Sequence, residues 1–336
     1  MHTLVTGGGG FLGRTIVEQL VARGDQVRSF GRGEYPEIAA LGVEVVRGDI
    51  RDREAVAAAC RGVNCVIHTA AVAGVGGPWR KFQENNVLGT ENVLAACRTQ
   101  GVKRLVFTGS PSAVFAGEDQ CGVDESAPYG LEWLEKHGGH YSRSKALAEQ
   151  LVLAANEPGR LATCALRPHL IWGPRDVHLI PRLIARARSG RLRRVGDGTN
   201  LVDTTYVENA AAAHLATADA LAEANSPAAG RAYFLSQGEP VNCWQWIVDV
   251  LRLAGLPPVQ KSISFRAAWR IGSVCEAVYR LLSSEHEPPM TRFLSAQLAK
   301  SHWFDISAAR RDLGYEPRIS TAEGMRRLGQ WLRQPA

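Results

Sequence analysis

The chain contains no Cys-x-x-Cys pair. Its seven cysteines, at 60, 65, 97, 121, 164, 243 and 275, are scattered and odd in number, which does not suit a disulfide framework. A reducing, cytoplasmic setting is expected, with most of these thiols serving as small buried hydrophobes inside apolar runs such as 58–60 and 162–165. Also missing is a basic N-terminus followed by an apolar stretch and a cleavage site, because Leu4 and Val5 begin a strand-like run at once. No segment approaches the roughly 20 consecutive apolar residues that a spanning helix needs. Neither an internal repeat nor a low-complexity linker is visible. These absences predict a soluble globular protein with no metal centre and no nucleic-acid partner.

What is there is an alternation. The 336 residues, 45% hydrophobic and 21% charged, can build one large domain or two closely joined ones. Apolar strand-like runs at 3–6, 26–30, 43–47, 65–69, 105–108 and 163–166 are separated by helical spacing at 11–23, 54–60, 82–98 and 141–155. That rhythm predicts an α/β fold of Rossmann type, a doubly wound parallel sheet. After about residue 170 the prolines at 174, 181, 227, 240, 257, 288 and 289 break the pattern. The expected organisation is a dinucleotide-binding portion at 1–168 plus about 200–238. A smaller, interleaved C-terminal substrate-binding portion is expected at 169–199 plus about 239–336.

Thr6 to Gly13 reads TGGGGFLG, between the first strand and the first helix. Gly7 permits the tight turn, Gly10 lets backbone approach a pyrophosphate, and Gly13 allows close packing of helix on strand. Phe11 and Leu12 complete the loop. Asp49 and Ile50 end the third strand and Ala70 and Ala71 follow the fourth, where an open parallel sheet holds its ligand. The second strand ends without an acid to accept the ribose hydroxyls of NAD. It runs instead into Gly31 and Arg32, and a guanidinium suits a 2′-phosphate. The expectation is NADP(H), with Arg32 as phosphate ligand and Arg14 as helper.

Tyr141 and Lys145 stand at Tyr-x-x-x-Lys spacing, on one face of a helix. Seven tyrosines and six lysines give an accidental pair at that spacing roughly one time in eight, so position decides. The pair follows the fifth strand, which ends in TGSPS (108–112). Reduction of a ketone places negative charge on oxygen, so a proton donor must stand beside it. A lysine ammonium is expected to pull the tyrosine pKa from about 10 toward working pH. Ser110 would hold the carbonyl oxygen, with Ser112 as a second candidate.

These motifs resemble the extended short-chain dehydrogenases/reductases over nearly the whole chain. The blocks are TGGGGFLG (6–13), GDI (48–50), HTAA (68–71), NVLGTEN (86–92), TGSPS (108–112), YSRSK (141–145), LRPHLIWGP (166–174) and VDTTYVENAAAAH (202–214). Within that superfamily the Ser110-Pro111-Ser112 block, PPMTRF (288–293) and LGYEP (313–317) look like the 3β-hydroxysteroid dehydrogenase branch. Stretches 20–24, 182–198 and 284–294 resemble its bacterial members of olefin biosynthesis. The resemblance implies NADPH-dependent reduction of the 3-keto group of a long-chain 2-alkyl-3-oxoalkanoic acid. It implies pathway partners: a thiolase-like condensing enzyme, a β-lactone synthetase and a β-lactone decarboxylase. It also implies that Lys145 grips the nicotinamide ribose, that Pro168 lines the cofactor site, that Asn86 shapes the site through backbone contacts, and that helices 82–98 and 141–155 form a homodimer interface. Gly109 departs from the family, where serine or threonine is commoner.

The residues say less about substrate. Phe265, Trp269, Gly272, Cys275, Val278 or Tyr279 and Leu282 recur at helical spacing among arginines. Such a helix could roof an acyl tunnel, touch a membrane or partner through 262–284, or pack on its own domain. His169 and His178, with Arg175 and Arg182, could catch a carboxylate or be structural. Six arginines between 182 and 194 could meet an anion or form a solvated face. A sterol 3β-dehydrogenase, a nucleotide-sugar epimerase or dehydratase and a non-catalytic NADP-sensing binder are the rival readings.

Overall fold

Residues 1–74, 76–282 and 287–334 are described by the structure, a computed structural model. Seven strands form one parallel sheet: β1 (His2–Thr6), β2 (Gln26–Gly31), β3 (Glu44–Arg47), β4 (Cys65–His68), β5 (Arg104–Thr108), β6 (Ala162–Pro168) and β7 (Arg231–Leu235). Their order is β7-β6-β5-β4-β1-β2-β3. Parallel neighbours require crossovers, and helices on both faces leave the strands apolar along their length instead of alternating. Leu4, Val5, Val66, Ile67, Leu105 and Val106 are accordingly all fully buried. The Rossmann-type doubly wound sheet expected from the rhythm is present. β7 escapes the periodicity reading because it lies between Pro227 and Pro240, in the part of the chain where the strand and helix rhythm is broken.

The helices that position the site are α1 (Phe11–Ala22), α2 (Gly89–Gln100), α3 (His140–Ala154), α4 (Leu179–Arg188), α5 (Val207–Ala220), α6 (Cys243–Leu253), α7 (Phe265–Leu281) and α8 (Arg292–Ala299). One face of the sheet is covered by Ile16, Val17 and Leu20 of α1 with Ala210 and Ala211 of α5. The other is covered by Val93 and Leu94 of α2 with Ala148 and Val152 of α3. A separate apolar cluster joins Ile180 and Leu183 of α4, Ile247 and Val250 of α6, and Trp172 and Tyr206. Residues 120–123, 201–202, 241–242 and 302–304 form a second, four-stranded sheet that draws late segments toward the first one.

Two helices differ from expectation. The helix predicted over 82–98 is interrupted: a π-helical stretch, Gln83–Leu88, precedes α2. A wider turn of this kind recurs at functional sites, and this one holds Asn86 at 2% exposure. In α7, Gly272 packs on the backbone of Thr291, and Glu276 accepts a hydrogen bond from Arg292 Nε at 2.8 Å. Its other face exposes Ile271, Val274, Val278, Leu281 and, just beyond the helix, Leu282. Thus Val278 and Leu282 point outward instead of joining the buried stripe. The 262–284 and 284–294 stretches singled out in the sequence fall partly on residues 283–286, outside the described residues. Among the described residues no helix is long and apolar enough to cross a membrane. Five cysteines are buried, Cys275 is half-buried and Cys121 is exposed.

Behind β5 and β6 lies a buried ion pair. Arg167 of β6 donates to Glu149 of α3 through Nη2 at 2.6 Å and Nε at 3.0 Å, and the Tyr129 hydroxyl donates to the same carboxylate at 2.8 Å. The two side chains are 3% and 0% exposed. Removing one partner strands a desolvated charge, which costs about 3–5 kcal/mol, whereas replacing both with apolar residues costs much less. Urea unfolding is expected to show that loss for Glu149→Leu and a large part of it restored in Glu149→Leu/Arg167→Met.

Candidate active site

The site begins where β1 ends. Gly7 has φ 73°, in the region that favours glycine, and a Cβ there would stand 2.9 Å from the backbone N and Cα of Ala70. A Cβ on Gly13 would stand 2.8 Å from the Gly7 carbonyl carbon, so α1 sits directly on the turn. The turns after β1 and β4 therefore touch, and a cavity of about 560 Å³ opens beyond the carboxyl ends of the strands.

Gly7, Gly10, Phe11, Leu12 and Gly13 line one end of this cavity, with Arg32, Asp49, Ile50, Ala70 and Ala71 around it. Ser110, Tyr141, Lys145 and Pro168 line it as well, together with Ser112, His169 and His178. Arg14, Arg175 and Arg182 do not. Arg175 donates to Glu18 through both terminal nitrogens, at 2.6 and 2.7 Å, and Arg14 is held by Glu18 at 3.1 Å and Glu37 at 3.5 Å. Arg182 pairs with Glu287 at 3.1 Å. The expected carboxylate-catching role of Arg175 and Arg182 and the helper role of Arg14 thus meet side chains already engaged by acids. Asp49 is bound by Arg51 at 2.7 and 3.0 Å. By contrast, the Arg32 guanidinium forms no ion pair among the described residues.

One residue of this wall escaped the sequence reading. Tyr35, at φ 45°, lays its ring against the glycines at 9, 31 and 33. A Cβ on Gly33 would stand 2.7 Å from the ring, and one on Gly9 would overlap it. The available signal was the spacing of Gly31 and Gly33 just ahead of an aromatic residue.

A hydrogen-bonded chain fixes the floor. The Thr90 hydroxyl donates to the Asn86 carbonyl at 2.6 Å and so accepts from His68 Nε2 at 3.0 Å. His68 Nδ1 is left to accept from the Thr6 hydroxyl at 2.7 Å, and Thr6 Oγ1 accepts from the Ala70 amide at 3.3 Å. Burial pushes His68 down to about 3, which keeps it neutral in this chain. Asn86 Oδ1 accepts from the Val72 amide at 2.7 Å, and Nδ2 donates to the Val72 carbonyl at 3.0 Å and to Ser144 Oγ at 2.8 Å. Asn86 thereby joins the loop after β4 to α3, the helix that carries Tyr141 and Lys145.

Tyr141 lines the cavity beside Ser110, and Ser110 Oγ lies 2.8 Å from Ser112 Oγ, which accepts from Ser142 Oγ at 2.8 Å. Ser110 is thus the hydroxyl beside the tyrosine, with Ser112 behind it. Burial pushes the Tyr141 phenol up to about 12, opposed only by the nearby Ser110 hydroxyl. The expected lowering by Lys145 is absent. Lys145, 2% exposed, points its ammonium at the Phe107 ring, 4.1 Å from the centroid. Burial lowers it to about 7, against the opposing pull of Glu149. Glu149 also accounts for Gly109, since a side chain there would meet its Oε2 at 2.5 Å and the Leu166 carbonyl oxygen at 3.0 Å.

Between pH 7 and 10.5 the unfolded chain keeps a proton on Lys145 that the folded chain has released, so this residue's contribution to stability rises with pH. The slope is at most about 1.4 kcal/mol per pH unit. From pH 7 to 8.5, the unfolding free energy of the wild type minus that of Lys145→Met is expected to increase. A flat difference would place the lysine proton elsewhere.

Comparison with known proteins agrees with this geometry. The model of the 3-beta hydroxysteroid dehydrogenase/isomerase family matches residues 4–266. The chain is 50% identical to the 2-alkyl-3-oxoalkanoate reductase of Stenotrophomonas maltophilia, over 98% of each chain. It is 33% identical to the decarboxylating sterol-4-alpha-carboxylate 3-dehydrogenase of Homo sapiens, over 98% of this chain and 87% of that one. The structure of Thermus thermophilus UDP-glucose 4-epimerase, a complex with NAD, is similar with a TM-score of 0.73 and 25% identity, covering 100% of both chains. With the parallel sheet, the glycine turn and the Tyr141–Lys145 face on one cavity, this chain belongs to the 3-beta hydroxysteroid dehydrogenase/isomerase family, among the extended short-chain oxidoreductases.

Proposed function

We propose that this chain reduces the 3-oxo group of a long-chain 2-alkyl-3-oxoalkanoic acid to the 3-hydroxy acid with NADPH. The observation that carries the reading is the Ser110–Tyr141 hydroxyl pair beside a buried lysine, in the cavity that the glycine turn opens. The name of the Stenotrophomonas relative supports the substrate class. Cofactor choice rests on the end of β2, where no acid awaits ribose hydroxyls and Arg32, in no ion pair among the described residues, suits a 2′-phosphate.

The residues fit a dinucleotide. Gly7, Gly10 and Gly13 line the cavity with bare backbone that a pyrophosphate can approach, and the amino end of α1 faces it. NADPH, when bound, supplies the hydride that reaches the carbonyl carbon. Ser110 donates a hydrogen bond to the carbonyl oxygen and fixes its position. Tyr141 gives its proton to that oxygen as negative charge develops there; a phenol pushed up to about 12 arrives protonated, as the reductive direction requires. Lys145 holds the nicotinamide ribose. Asn86 keeps α3 in register with the turn after β4, so the donor and the cradle move as one body.

A sterol 3β-dehydrogenase is the second reading, favoured by the family and by the human relative. Oxidation of NADPH, followed with a long-chain 2-alkyl-3-oxo acid and separately with a 3-ketosteroid, distinguishes them. Turnover of the acid is expected, lowered at least a hundredfold by Tyr141→Phe. Arg32→Ala is expected to cut the preference for NADPH over NADH by about tenfold or more. Better turnover of the steroid, or an unchanged cofactor preference in Arg32→Ala, would overturn the corresponding half of the reading.

A further inference from the structure

Three buried side chains beside the cavity play no part in the chemistry described so far. His169, which lines the cavity, has its Nδ1 2.9 Å from Asp203 Oδ1 and its Nε2 3.1 Å from His302 Nδ1. His302 Nε2 lies 2.8 Å from the Gln297 carbonyl oxygen. Asp203 Oδ2 accepts from the Phe304 amide at 2.9 Å. All three are under a tenth exposed: His169 6%, Asp203 1% and His302 3%.

Counting protons fixes the charge. A carbonyl oxygen only accepts, so His302 Nε2 carries a proton. A carboxylate that already accepts a backbone N–H also accepts from His169, so His169 Nδ1 carries a second. The contact between His169 Nε2 and His302 Nδ1 is a hydrogen bond only if one proton lies in it, since two lone pairs facing at 3.1 Å would repel. Three protons on two imidazoles leave one positive charge, balanced by Asp203. Of the two rings it is His169 that meets the Asp203 carboxylate, at 2.9 Å, so the charge rests on His169, the ring at the cavity wall. Asp203 and His169 are the charged groups that face His302, and Asp203 stands behind His169, outside the cavity lining.

The same wall holds a free donor. Gln297 lines the cavity, one helical turn from Phe293 on α8, and its side-chain amide makes no hydrogen bond within the protein among the described residues. A cation and an unpaired amide on one wall match an anion with several acceptor sites. The two relatives compared above are named for acids with one carbon between the carboxylate carbon and the oxygen-bearing carbon: a 3-oxoalkanoate, and a sterol 4-carboxylate acted on at C3.

We propose that His169, kept cationic by Asp203 and His302, and the Gln297 amide form the subsite for the carboxylate of the 3-oxo acid, with Phe293 offering an apolar surface to the 2-alkyl branch. This rests on the substrate reading given under Proposed function. His169 acts through its charge, since both of its nitrogens are engaged, and Gln297 acts through its N–H groups.

Two measurements test it. In ¹⁵N NMR of histidine-labelled protein at pH 7.5, one ring is expected with both nitrogens protonated and correlated to a second, neutral ring. Asp203→Asn should abolish that signal. Finding only neutral rings in the wild type would overturn the charge assignment without any variant. Kinetically, the ratio of kcat/KM for a 2-alkyl-3-oxo acid over the matched ketone lacking the carboxylate is expected to fall about tenfold in Gln297→Ala and in His302→Gln. An unchanged ratio in Gln297→Ala, whose side chain faces the cavity and not the core, would sink the subsite. A wild type that reduces the steroid and not the acid would instead remove the substrate reading, while the NMR result would still decide the charge.

Discussion

Everything in this molecule hangs on the position of β1 in the sheet. From β1 the chain runs to β2 and β3 on one side and then crosses to β4 on the other, so the turns at the carboxyl ends of β1 and β4 lead away in opposite directions and leave a crevice between them. No side chain creates that opening; it follows from right-handed crossovers on a parallel sheet. What the side chains do is hold its two lips in contact at one place, Gly7 against Ala70, and tie that contact through Thr6, His68 and Thr90 to Asn86. The reacting end of the cavity is then set by β5, β6 and α3, which the Asn86 amide fastens to the same floor.

Burial drives the electrostatics of this site more than pairing does. It raises the Tyr141 phenol, lowers the Lys145 ammonium and keeps His68 neutral, each in the direction that disfavours charge. A buried ion pair nearby, Glu149 with Arg167, sits behind the strands, and its carboxylate pulls against the lysine's loss of charge. Gly109 belongs to that arrangement: a hydroxyl-bearing residue there would collide with the Glu149 carboxylate. A departure that looks like a weakened active site in the sequence is thus steric room for a buried charge.

Legibility followed sequence distance. Elements built from local pattern, such as β1 to β6, the glycine turn and the Tyr141–Lys145 face, could be read directly, since period and turn chemistry are properties of a few consecutive residues. The cavity wall made by Phe293 and Gln297, with His302 behind it, could not, because these late residues are brought to the site by long-range packing, including the small sheet that pairs 302–304 with 120–123 and 201–202. The arginines misled for a related reason. Arg14, Arg175 and Arg182 look available on paper, yet Glu18, Glu37 and Glu287 meet them in the fold. Arg32 has no such partner among the described residues, and it is its place just after β2 that singled it out in the sequence. The π-helical turn at 83–88 likewise leaves no local signature, since it differs from an α-turn by a single residue of register.

The ring of Tyr35 alters what the glycines around it mean. Gly7 and Gly13 are small because backbone meets backbone, and their requirement is the same in any chain with this turn. Gly9 and Gly33 are small because one aromatic ring fills the space above them, and Gly31 lies against the same ring. Those positions are therefore not independent letters. A lineage that lost the tyrosine would release all three glycines to drift, and one that gained a side chain at position 9 would first have to move the ring aside. The four residues pack as a unit, and Gly9, within the glycine run, is matched to an aromatic residue more than twenty positions away.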